Sequence, residues 1–184
     1  MPSSRHHAVV MLFLFVAASP GCVASEHPLT DAESSKIDED LIGEWCCVED
    51  ESILGTIRKK ADSETVLELV DGTNGDTSTL YCTQIAEERY CTVVDLRYKD
   101  YRIIRYSTRG ADEIIRIYAL DVDAVSHAIR AGWVAGKTWN FFGPQAKLTG
   151  APEELRAYIE KHAKECFEPF SDLGLRRATN PKQP

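Results

Sequence analysis

Two spacings of apolar residues divide the chain. Between Leu41 and Leu120 they fall in short runs rich in Val, Ile, Thr and Tyr: Leu41–Val48, Ser52–Lys59, Thr65–Val70, Thr77–Ile85, Tyr90–Tyr98, Tyr101–Ser107 and Glu113–Leu120. Such runs predict strands. Turn chemistry separates most of them, at Asp71-Gly72, Asn74-Gly75 and Arg109-Gly110. In the fifth run Tyr90, Thr92, Val94, Leu96 and Tyr98 share one face, and Cys91, Val93, Asp95 and Arg97 the other. No helical period interrupts the series, which predicts an antiparallel meander rather than a parallel sheet.

Beyond Asp121 the period lengthens. Val122, Val125 and Ile129 take helical spacing, with Asp121 placed to cap the start and Gly132 to stop the helix. Residues 133–149 are ambiguous, because Gly136, Gly143 and Pro144 break up Trp133, Trp139, Phe141 and Phe142; Ala146–Thr149 reads as one more strand. A second helix starts at Pro152, where Glu153 and Glu154 suit the first turn, and buries Leu155, Tyr158, Ile159, His162 and Cys166. The expected fold class is α+β, mainly β. An antiparallel meander closes into a small barrel or curled sheet, covered by the two C-terminal helices, because free strand edges invite aggregation.

The amino terminus carries a different signal. Arg5, His6 and His7 precede the unbroken apolar run Ala8–Ala18, which ends at Ser19-Pro20-Gly21-Cys22. As a helix that run spans roughly 16 Å, about half a bilayer core, so it is too short for a transmembrane anchor and fits a cleaved secretory signal. Residues 1–21 are therefore expected to be a signal peptide and 22–40 an acidic flexible tether. The domain proper runs over 41–178, and 179–184 form a disordered tail. The chain has a formal charge of −8, and the signal carries Arg5 but no acidic residue, so the mature form stands at −9. That sign disfavours nucleic acid and anionic headgroups as partners.

The Gly21-Cys22 ending resembles the bacterial lipoprotein box, although Ser19 and Pro20 depart from its preferred residues. The resemblance implies lipidation of Cys22, a membrane partner held through that lipid, and a location on the extracytoplasmic side of the cell envelope; cleavage nearby, after Ala24 for instance, would give a secreted protein instead. Leu41-Ile42-Gly43-Glu44-Trp45 resembles the first strand of the lipocalin (calycin) barrels, and Asp100-Tyr101 their second signature, with Lys99 where that family has Thr. What this implies is a barrel floor at Gly43 and Trp45. The carboxy-terminal pattern Leu148-Thr149, Pro152-Glu153-Glu154-Leu155, Tyr158, His162 and Phe167 is similar to small exported bacterial lipoproteins over most of 41–178.

Export also permits disulfides. Cys82 and Cys91 flank a short turn and are expected to pair. Adjacent Cys46 and Cys47 point to opposite faces of a strand, and either can pair with Cys166. His162 and Cys166 have the spacing of half a zinc site or of a thiol and its base, but share the buried stripe of their helix. Ser126 and His127, with Asp121 and Asp123 nearby, offer triad residue types without a nucleophile elbow. Glu87-Glu88 reads as a solvated turn. No catalytic residue, metal or cofactor is expected. The expected function is a non-catalytic binding module for a small apolar ligand or an envelope protein, with a cavity above Trp45. The alternative is a structural or assembly component with a solid core; an enzyme would need two of His127, His162, Cys166 and Asp100 to converge.

Overall fold

The computed structural model describes residues 22–48, 53–95, 99–109, 114–140 and 143–178. The expected signal, 1–21, and tail, 179–184, lie outside the described residues.

Eight antiparallel strands close a barrel: β2 (Gly43–Cys47), β3 (Ile53–Lys59), β4 (Leu67–Asp71), β5 (Thr77–Ile85), β6 (Glu88–Asp95), β7 (Asp100–Arg109), β8 (Ile114–Leu120) and β11 (Phe167–Arg177). Each pairs with its neighbour in chain order, and β11 returns to pair with both β8 and β2. This is the expected antiparallel meander, and it is consistent with a lipocalin-like barrel. Local chemistry makes its turns. Between β4 and β5, Asp71 Oδ1 accepts from the Thr73 amide at 2.7 Å and the Asn74 amide at 3.1 Å, and Gly75 takes a φ of +74°.

The chain between β8 and β11 forms the outer layer: α1 (Val122–Arg130), β9 (Gly136–Trp139), β10 (Gln145–Leu148) and α2 (Pro152–Cys166). Asp121 caps α1 as expected, accepting from the Asp123 and Ala124 amides at 2.7 and 3.1 Å. Alternation along the wall strands feeds two cores. Cys91 and Ile104 point into the barrel with Trp45, Leu67, Leu80 and Tyr106. Tyr90 and Ile103 point outward and pack with Val125 of α1 and Leu155, Ile159 and Cys166 of α2. No helix among the described residues is long and apolar enough to cross a membrane.

The stretch expected to be a flexible tether is instead built into the fold. β1 (Val23–Ser25) runs parallel to β10 and meets β7 at Tyr101, which joins β10 and β9 to the barrel wall. Leu29 is fully buried, its amide donating to Thr92 Oγ1 at 3.2 Å. Ser35 then continues the sheet edge beyond β4. Its hydroxyl accepts from the Cys82 amide at 2.9 Å, and the Lys36 amide donates to the Cys82 carbonyl at 3.0 Å. Acidic composition hid these few apolar and hydroxyl anchors.

Candidate functional site

One end of the barrel is closed by the segment Ile37–Ile42. Trp45, almost fully buried, donates from Nε1 to the Leu41 carbonyl at 2.7 Å. The Arg177 guanidinium lies 4.9 Å from the Trp45 ring and donates to the Ile42 and Asp40 carbonyls. Gly43 has a φ of +151°, and a Cβ there would sit 2.5 Å from Arg177 Nη1, so the position requires glycine. Asp38 accepts from the Tyr106 hydroxyl at 2.6 Å and from Arg89 at 3.2 Å, while Asp40 accepts from Arg89 at 2.7 Å. Burial pushes the Tyr106 phenol far up. Gly43 and Trp45 thus sit where the barrel is sealed. A cleft of about 520 Å³ beside this network is lined by Asp38, Arg89 and Tyr106, and Trp45 does not line it.

The larger cleft lies outside the barrel. It has a volume of about 820 Å³ and runs between the end of α1, the strand β9 and the exposed side of α2. An aromatic column forms one wall. Trp133 stacks on His162 with ring centroids 5.1 Å apart and planes at 9°, and His162 rests on Tyr158 at 5.2 Å. His127 meets the Trp133 ring edge-on at 5.3 Å. Trp133 is nevertheless 53% exposed, unusual for so large an apolar side chain. Lys161, Glu154 and Thr149 add polar groups, and Ala157 forms part of the floor.

Of the residues the sequence singled out, His127 and His162 meet at the Trp133 ring, and the others lie apart from it. His162 Nδ1 lies 3.1 Å from Glu165 Oε2, whereas Cys166 is buried against the barrel wall and burial pushes its thiol up to about 12. Asp121 is occupied as a helix cap, Ser126 is buried, and His127 belongs to the aromatic column. Asp100 pairs with Lys147 at 2.6 Å. Glu88 lies 3.8 Å from Arg105, and Glu87 lines the smaller cleft. Among the described residues, no three His, Cys, Asp or Glu side chains are grouped to hold a metal.

The disulfide expected between Cys82 and Cys91 is not formed. The two residues face each other across β5 and β6, but they are thiols with sulfurs 3.5 Å apart. The Cys82 amide and carbonyl bond to Ser35 and Lys36, away from β6, which makes the pair a non-hydrogen-bonded one. Such a pair is close enough for a bridge, so what shows the thiols unbonded is the sulfur separation itself, 3.5 Å against about 2.05 Å in a disulfide. Equal spacing about a turn fixes the partner, not the bond. Cys46, Cys47 and Cys166 are likewise buried thiols.

Sequence reasoning left the Trp133 region ambiguous because its glycines break every period. The signal that pointed there was the bare aromatic content of Trp133 and Trp139 beside a short helix. No family model, no curated protein and no solved structure matches this chain.

Proposed function

We propose that this is an exported, non-catalytic binding protein that takes a small ligand in the cleft between its two helices, with the barrel as a rigid scaffold. The observation that carries the reading is the cleft itself. At about 820 Å³ it lies in the range of small-molecule sites, and it combines an exposed indole with a few polar groups. The stacked and edge-on contacts to His162 and His127 hold Trp133 in one orientation, so little side-chain entropy is lost when a flat apolar ligand covers it. The barrel interior around Trp45 is occupied by side chains, which favours scaffold over container. In this reading the chain belongs to the lipocalin-like exported lipoproteins it resembles. A lipid on Cys22 anchors it to the membrane of the cell envelope, on the extracytoplasmic side.

Filling the cleft tests the reading. Ala157→Trp places an indole inside the cleft, where the ligand would lie. A panel of flat hydrophobic dyes and lipids, followed by tryptophan emission of the mature chain, should give saturable binding that Trp133→Ala weakens at least tenfold and Ala157→Trp abolishes. Binding unaffected by both substitutions, or no saturable binding at all, would reject the cleft as the site.

A further inference from the structure

We infer that the open edge of β9 pairs with the same edge of a second copy of this chain, antiparallel and two-fold about Thr138. The barrel closes on itself through β6 and β7, so the order of strands ends at β9, whose one described ladder is with β10. Hydrogen bonds around β10 fix which residues of β9 face outward. The Ala135 carbonyl accepts from the Thr149 amide at 2.9 Å, so Ala135, Lys137 and Trp139 turn their backbone groups toward β10. The Ala146 amide, opposite Thr138, donates away from β9, to the Cys22 carbonyl at 3.3 Å. Gly136 and Thr138 therefore each hold an N–H and a C=O toward the open edge, and Lys137, Thr138 and Trp139 are exposed.

An open row of backbone groups is a template for another strand, and short length and a lysine are the usual guards against chance partners. Here the lysine selects the partner. Two registers keep three facing pairs within Gly136–Trp139 under two-fold symmetry, one centred on Lys137 and one on Thr138. Centring on Lys137 sets two ammonium groups directly opposite each other, which is unfavourable. Centring on Thr138 sets that residue against its counterpart, with two backbone hydrogen bonds between them, and brings Lys137 of each copy opposite Trp139 of the other. Lys137 gains from that exchange. Within one chain it faces Lys147, which is already held by Asp100 at 2.6 Å and Glu26 at 3.8 Å, and Lys137 has no ion pair with any described residue. The Trp139 ring is 42% exposed, and its Nε1 donates to Gln145 Oε1 at 2.5 Å, which anchors the indole on the face that Lys137 of the second copy would share. An ammonium over that ring is a favourable cation–π contact, made twice because each copy supplies both residues. This self-complementarity commits the edge to a second copy. The pairing extends the sheet sideways and is independent of the helix cleft.

Sedimentation velocity tests the pairing, on the mature chain carrying Cys22→Ser, whose remaining cysteines are buried. It should show a monomer–dimer equilibrium as concentration rises toward ~1 mM. Thr138→Pro removes the amide at the two-fold axis, whereas the ladder between β9 and β10 uses other amides. That variant should weaken the dimer at least tenfold and leave the unfolding midpoint of the monomer in place. Thr138→Cys should cross-link to its counterpart on mild oxidation, and Lys137→Cys should not. Facing residues of the Thr138 kind hold their Cα atoms about 5.5 Å apart, inside the roughly 4.4–6.8 Å range of a disulfide. The cross-link decides the matter if the proline variant does not fold. A chain that stays monomeric throughout, a dimer indifferent to Thr138→Pro, or cross-linking through Lys137→Cys in place of Thr138→Cys overturns the inference.

Discussion

Cys166 and Tyr90 lie in the layer between the helices and the barrel wall, where burial pushes both groups up to about 12. Desolvation is the main cause in each case, since a thiolate or phenolate loses its water there. Both folded values exceed the unfolded ones, so the folded state holds these protons more tightly. Their contribution to stability is therefore complete below pH ~8.5 and is lost as pH rises toward 12. Urea unfolding followed by circular dichroism should show stability falling steadily between pH 9 and 12. Cys166→Ala should flatten the lower part of that fall. Thiols this deep are also poor nucleophiles, which agrees with a packing role for Cys166 in place of the zinc or thiol–base roles its spacing with His162 allows.

Elements with one dominant signal were legible in the sequence. The seven runs from Leu41 to Leu120 correspond to β2 through β8, and the Asp121 cap marks α1. That cap satisfies two amides at the start of a helix of nine residues. Asp121→Ala should cost about 1 kcal/mol, read by chemical denaturation, whereas Asp123→Ala on the exposed side should cost much less. Elements whose stability comes from partners were not legible. β11 closes the barrel, yet Pro169 and Gly174 interrupt its pattern, and its register against β8 shifts between those two residues. β1 has three residues and exists because β10 and β7 offer it free edges. β9 is a short, largely exposed strand made by pairing with β10. Period reading finds faces, and none of these three has a periodic face of its own. The candidate site was hidden for the same reason: Trp133 and His162 lie far apart in sequence, on different elements, and only the packing of α1 beside α2 stacks them.

At the scale of the whole molecule, a closed barrel supports an outer layer that carries the larger cleft. Because β1 starts at Val23, a lipid on Cys22 leaves no spacer, and the sheet extension β1, β10 and β9 beside the barrel lies directly on the membrane surface in the proposed arrangement. Trp139, 42% exposed at the end of β9, sits in the row of Gln145 next to that point. Interfacial tryptophans favour such a position. The central claim is that the ligand sits between the helices and not inside the barrel. Amide chemical-shift mapping tests it most directly, using the tightest compound from the dye and lipid panel. Binding between the helices perturbs Gly132–Gly136 and the exposed side of α2 from Glu154 to His162, and leaves Leu80, Cys91 and Ile104 unmoved. Shifts concentrated on those three interior residues, with the helices silent, would contradict it.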